Sequence, residues 1–266
     1  MLILGCILCL IMGATLGLIG AGGSILIFPI LVYFFTINPV LATSYSLIIV
    51  GITALIGSIQ NYRSQTLDIK VGLIFSIPII LSTYLTRRYL MPFIPEQITF
   101  NNYIIEKDLF ILILFVLLMF LASFLMLKSK ITTNVVIENA KYKFLFNNLT
   151  IPLGIFIGLF TGLVGAGGGF LIIPALVIFL KLNMIVAVGT SLLIIFLKSV
   201  IGVLGDILSG IVFDYSLIFI IIVCTGTGIV LGVKLNKRLD SELLKNLFGI
   251  IIFIIASIII LRELIL

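Results

Sequence analysis

The chain has 266 residues, of which 62% are hydrophobic and 10% charged, with a mean hydropathy of +1.43. That is too little polar surface to cover a soluble globule of this size, so the composition reads as an integral membrane protein. Sixteen Lys and Arg against ten Asp and Glu leave a net charge of +6, which in such a chain reflects topology and not a nucleic-acid partner.

Eight apolar segments follow in order: 2–35, 39–58, 69–86, 109–127, 150–180, 185–204, 215–233 and 243–261. A helix needs roughly 20 residues to cross a hydrocarbon core, whereas a barrel strand is about half that and alternates, so the segments predict helices. The first carries Cys6 and Cys9 in C-x-x-C spacing, a reactive pair in a soluble redox fold. Here they read as small packing or lipid-facing residues, like Cys224. The first basic residue is Arg63, so the N-terminus lacks the charged region of a secretory signal and is expected to stay in the structure. The longest polar interval, Lys128 to Asn148, is 21 residues and leaves no room for a soluble domain. With no histidine and no Cys/His cluster, no metal is expected, and no cofactor or nucleotide-binding motif is present.

Segments 2–35 and 150–180 are interrupted by glycines, and they are copies of each other. Shifting Gly13 to Leu31 by 145 gives Gly158 to Leu176 with 11 identities in 19 positions. The register continues through Asn38, Ala42, Ser46 and Leu47, which recur as Asn183, Ala187, Ser191 and Leu192. The expected organisation is a membrane repeat at 1–127, a connecting loop at 128–149 on the cytoplasmic side, and a second membrane repeat at 150–266. One helix over residues 1–35 would be about 50 Å long, so it must break or tilt.

Basic residues choose between two topologies. If all eight segments cross, seven basic residues fall on one side and eight on the other. If the two broken segments are hairpins that enter and leave on one side, Arg63, Lys70, Lys128, Lys130, Lys141, Lys143, Lys181, Lys234, Lys237, Arg238 and Lys245 share a side. Arg87, Arg88, Lys107 and Arg262 lie on the other, so the count is 11 against 4. This favours hairpins, although the residues before Gly20 are numerous enough to cross alone. Three crossings and a hairpin per half make the halves inverted, an architecture of transporters. The fold class expected is therefore an all-α membrane protein of two inverted four-segment repeats, each opening with a glycine-broken helix.

Gly13-x-x-x-Gly17 and Gly158-x-x-x-Gly162 have the spacing of close helix packing. Consecutive glycines at Gly20, Gly22, Gly23 and at Gly165, Gly167, Gly168, Gly169 instead mark a local break, since glycine supplies positive φ. A helix restarting at Ser24 or Phe170 presents unpaired N–H groups and a positive dipole end, which suit an anion. The competing reading is a tight helix crossing without a ligand.

These residues resemble the sulfite exporter TauE/SafE family, whose mark is a G-x-x-x-G-x-x-G-x-G-G-G-x-x-x-x-P run followed by A-x-G-T-S-L in each half. The second copy matches at Gly158, Gly162, Gly165, Gly167, Gly168, Gly169, Pro174, Ala187, Gly189, Thr190, Ser191 and Leu192. The first departs at Ser24 and in Ala42-Thr43-Ser44-Tyr45-Ser46-Leu47. The resemblance implies export of sulfite, organosulfonates or related anions from a bacterial-type cell membrane.

The expected partners are a small anionic substrate and the lipid bilayer; a homodimer is compatible with the chain. The expected binding set is Gly20, Gly22, Gly23, Ser24, Thr43, Ser44, Ser46, Gly165, Gly167, Gly168, Gly169, Thr190, Ser191 and Lys198, with the anion between the two breaks at one depth. Hydroxyls donate to sulfonate-type oxygens without burying a full charge. Lys198, inside an apolar segment, either faces a cavity or snorkels to an interface. Its counterpart in the first half is Thr53. An anion channel is the alternative within transport. Asp206 and Asp214 raise an intramembrane aspartyl protease as the alternative enzyme, but Gly202 to Asp206 lacks the G-x-G-D spacing.

Overall fold

The computed structural model describes residues 2–20, 22–37, 39–90, 93–95, 97–100, 103–129, 150–164, 168–208 and 213–265. The connecting loop therefore falls, from 130 onward, outside the described residues. Helices dominate: α1 (Leu2–Ile19), α2 (Gly22–Tyr33), α3 (Pro39–Arg63), α4 (Ile69–Leu85) and α5 (Lys107–Lys128) precede the loop. After it come α6 (Thr150–Val164), α7 (Gly169–Pro174), α8 (Met184–Leu208), α9 (Tyr215–Asn236) and α10 (Ser241–Ile265). Among the described residues, six helices are long and apolar enough to cross a membrane, and they coincide with the six unbroken apolar segments. Large side chains such as Ile77, Leu117 and Phe219 point outward from them, as a chain solvated by lipid requires. One addition that hydropathy does not forecast is an antiparallel ribbon between α4 and α5, β1 (Gln97–Phe100) with β2 (Tyr103–Glu106), paired from Gln97 with Glu106 to Phe100 with Tyr103.

Both glycine-rich segments are interrupted. Helix α1 stops where Gly20, at φ +80°, turns left-handed while its N–H still donates to Leu16 O at 2.7 Å. Only glycine adopts that φ without strain. Helix α2 starts at Gly22, two residues before the expected Ser24, and runs back along α1. A Cβ on Gly23 would strike the Met12 carbonyl, and one on Gly5 would lie 2.8 Å from the Phe35 ring, so the two ends of segment 2–35 meet. In the second copy Gly168, at φ +78°, precedes α7, which starts at Gly169 and continues after Pro174 as a π-helical turn, Ala175–Phe179.

The two broken segments also end alike. Thr36 and Lys181 both sit at φ 54°, and Ile37 N–H donates to Leu31 O (3.1 Å) as Leu182 N–H does to Leu176 O (3.0 Å). Each of these residues lies 145 from its counterpart.

The broken helices pack across the sequence halves. Helix α1 lies along α9, and α6 lies along α4. Methyl groups on Gly13, Gly228 or Gly232 would run into the carbonyls of Thr225, Leu10 and Ala14, and one on Gly17 would lie 2.5 Å from Ile229 O. At α4–α6, Ser82 Oγ donates to Ile155 O (2.7 Å) and Thr83 Oγ1 to Gly158 O (3.1 Å). Helices α3 and α8 cross at the centre, and α5 pairs with α10.

Two aspartates set helix starts. Asp68 caps α4 by accepting from Val71 N–H at 3.1 Å. Asp214 caps α9 by accepting from the N–H groups of Ser216 and Leu217 at 3.0 and 3.2 Å. Each cap residue also donates its own N–H to a hydroxyl of the opposite half, Asp68 to Thr190 Oγ1 (3.1 Å) and Asp214 to Tyr45 Oη (2.6 Å). At one end of the molecule, Lys237 Nζ donates to Ser64 Oγ, Lys245 Nζ to Ser129 O, and Ser241 Oγ to Asn183 Oδ1. The regions after α3, α5, the second broken segment and α9 thus meet.

Candidate functional site

At the first break the chain is closely packed. A Cβ on Gly20 would lie 2.8 Å from Ser191 Oγ, 2.9 Å from Ile173 Cδ1 and 3.1 Å from Val188 Cα. Ser191 Oγ bonds to Val188 O at 2.8 Å and to Gly20 O at 3.3 Å, so the hydroxyl fastens α8 to the break. Thr190 holds the start of α4, and a methyl on the neighbouring Gly189 would collide with Thr66 O. The A-x-G-T-S-L element therefore has an evident holding role. In the first half, Ser46 Oγ donates to Thr43 O at 2.6 Å, the same three-residue back-bond as Ser191. Ser44 is buried and Thr43 half-buried. Gly22 and Ser24 lie in the first turn of α2; the side chain of Ser24, and Gly165 and Gly167 altogether, lie outside the described residues.

At the second break the surroundings are polar. A Cβ on Gly168 would stand 3.1 Å from Lys198 Nζ and would collide with Thr161, whose own Cβ is 2.8 Å away. Lys198 is only 6% exposed, so its ammonium does not snorkel; it points at the Gly168 turn. A charge in a membrane interior costs several kcal/mol unless polar groups or an ion surround it. Thr161 and Thr83, both buried, send their hydroxyls to Gly158 O at 3.3 and 3.1 Å and stand 3.5 Å apart. Gly169 and Phe170 open α7 beside this cluster and are buried. Their amides precede the helix's first backward bonds, Leu171 N–H and Ile172 N–H to Gly168 O.

The expected set thus divides. Gly20 and Ser191 belong to one cluster, Gly168, Gly169 and Lys198 to another, and Thr190 faces the start of α4 instead. The first break meets α8 at the Ser191 hydroxyl and the second meets the Lys198 ammonium, so the two breaks have different neighbours on α8. Helix α1, with 18 residues, carries Gly20 along α9 to its last turn, where Asn236 Nδ2 donates to Leu18 O at 2.6 Å. Thr161 and Thr83 were missed from sequence. The repeat held a signal for Thr161, which stands where the first copy has Leu16, just as Lys198 stands where it has Thr53. Thr53 lies in an uncharged pair, 2.8 Å from Thr225 Oγ1.

Asp206 Oδ2 is buried without a hydrogen bond, while Asp214 has its carboxylate on the start of α9, so the two do not form a shared-proton pair of the kind a protease needs. Among the described residues, no three Cys, Asp or Glu side chains gather as metal ligands. An open groove of about 630 Å³ between α3 and α9, lined by Ile56, Ile222, Val223 and Val230 among others, is apolar and holds none of these charged groups.

The sequence profile described as "Sulfite exporter TauE/SafE" matches residues 5–259. A "Probable membrane transporter protein" of Xylella fastidiosa (strain Temecula1) is 30% identical, over 95% of this chain and 92% of its own length. Two Bacillus subtilis proteins, "Probable membrane transporter protein YunE" and "Probable membrane transporter protein YdhB", are 26% and 29% identical over 94% and 89% of this chain and 93% and 91% of theirs. No solved structure matches. A match over nearly the whole chain, on a scaffold of long apolar helices interrupted at the motif glycines, makes this chain a multi-pass member of the sulfite exporter TauE/SafE family of membrane transporters.

Proposed function

We propose that the chain is a secondary transporter that exports a small oxyanion of the sulfite or organosulfonate class across a bacterial-type cell membrane. We place the anion at the second break, against the Lys198 ammonium and the amides that open α7, with Thr161 and Thr83, whose hydroxyls donate to Gly158 O, at its border. The carrying observation is Lys198, a buried cation aimed at a left-handed glycine beside the start of a helix. Such a start favours anions through N–H groups that have no backward helical partner. The first break, fastened by Ser191, Ile173 and Val188, serves as a closure.

The hairpin topology is part of this proposal. It is supported by the meeting of Gly5 with Phe35 and by the bonds that gather Ser64, Ser129, Asn183 and the 236–245 region. If all eight segments crossed, Ser64 and Ser129 would lie across the bilayer from Lys237 and Lys245. With the basic side cytoplasmic, the halves are inverted and their broken helices enter from opposite faces. Counterflow in proteoliposomes loaded with sulfite, methanesulfonate or sulfoacetate tests the reading. Saturable exchange of at least one is expected; no movement of any anion in the panel overturns it, and unitary currents replace the carrier with a channel.

A further inference from the structure

Which parts move is not given by the repeat, because the close seams join helices of opposite halves. Helix α1 follows α9 with backbones so near that methyls on Gly13, Gly228 and Gly232 have no room, and Asn236 Nδ2 ties the end of α9 to Leu18 O. Helix α6 follows α4 with Gly158 2.5 Å, by its would-be Cβ, from Ile79 O, and with two hydroxyl-to-carbonyl bonds across the seam. Interlocked backbones resist sliding, since any shift drives a helix into its neighbour's main chain. Helix α3 also touches α2 and α9, including the Thr53–Thr225 pair, and α8 touches α7 and α4. Helices α3 and α8 meet each other more extensively than either meets any of these, so the grouping rests on the kind of contact and not on its extent.

Most of what lies between the groups is of another kind, the exception being Gly189 of α8, whose added methyl would meet Thr66 O in the link from α3 to α4. Along α3–α8, Gly202 meets the methyls of Leu47 at 3.0 and 3.5 Å, and Gly51 meets the Ser199 side chain. These are glycine-to-side-chain contacts, in which rotamers can change while backbones slide. We infer that the two moving bodies of the transport cycle exchange a helix between the sequence repeats: α1, α2, α3 and α9 move as one, and α4, α6, α7 and α8 as the other. The inference rests on the transport reading. It deepens that reading by putting the second break and Lys198 wholly in one body, while the Gly20–Ser191 contact spans both and must open in each cycle.

The native cysteines supply the test. Cys6 on α1 and Cys224 on α9 are neighbouring free thiols in opposite repeats and in the same proposed body. In a Cys9→Ala background they are oxidised to a disulfide, and flux of the sulfite, methanesulfonate and sulfoacetate panel is measured before and after. Linked protein should keep its flux within about twofold. Leu47→Cys with Gly202→Cys, in a background lacking the native thiols, should lose more than tenfold on oxidation and regain it on reduction; Gly51→Cys with Ser199→Cys replaces this pair if it does not fold. Arrest by the Cys6–Cys224 link, or free flux with α3 and α8 linked, overturns the exchanged bodies. Reduced wild type that moves none of the three anions refutes the transport reading instead.

Discussion

Gly168 is where a single methyl has the most predictable effect. Its φ of +78° disfavours any side chain by about 1–2 kcal/mol, and the added carbon would collide with Thr161. Gly168→Ala should therefore lower the melting temperature in detergent, and Thr161→Ala in the same chain should restore part of it. Gly168→Val is a test of folding more than of ligand contact. Asp214 gives a cleaner separation of roles. Asp214→Ala should lose about 1 kcal/mol with the α9 cap, whereas Asp214→Asn, itself a good cap, should be near wild type in both stability and flux. Loss of an activity in Asp214→Asn at full stability would revive a catalytic carboxylate. Lys198 was recognisable in the sequence as a charge in an apolar run, but its direction was not, because a four-carbon stem reaches either an interface or a cavity. Only the placement of Gly168 opposite it decides.

At the scale of elements, the six unbroken helices were legible because their length and hydropathy leave no other solution in a bilayer, and the interruptions because glycine runs oppose a continuous helix. Both helices restart one or two residues before the expected Ser24 and Phe170, at Gly22 and Gly169, since glycine itself tolerates the first turn. The ribbon at Gln97 to Glu106 was legible but missed: Ile98-Thr99-Phe100 and Tyr103-Ile104-Ile105 are strand formers either side of Asn101-Asn102, a pattern that hydropathy alone passes over. The seams were half legible. The spacing of Gly13 and Gly17 announced a close neighbour, yet nothing local names α9, more than 200 residues away. Gly232→Leu should prevent a monodisperse fold, because its side chain would occupy the Ala14 backbone. Ser191→Ala, which removes one hydroxyl from a buried contact, should cost only about 0.5–1.5 kcal/mol. Measured unfolding of the two in detergent checks the contrast.

For the whole molecule, the proposed topology puts Ser64 and Ser241 on the cytoplasmic side and Phe93, 81% exposed beyond α4, on the other. Single cysteines at 64 and 241 should react with an impermeant maleimide only when the cytoplasmic face is open, and one at 93 only from outside. Opposite labelling of 64 and 241 would remove the hairpins. Two near-copies of one segment have diverged in chemistry: one break is fastened by a hydroxyl, the other faces a buried cation. The direct measurement is anion counterflow in proteoliposomes for wild type and Lys198→Thr, the substitution that gives the second half the residue the first half carries at Thr53. With protein inserted and monodisperse, exchange of a sulfite-class anion should fall at least tenfold, and Lys198→Arg should recover part of it. Equal exchange by wild type and Lys198→Thr would contradict an anion site at the second break.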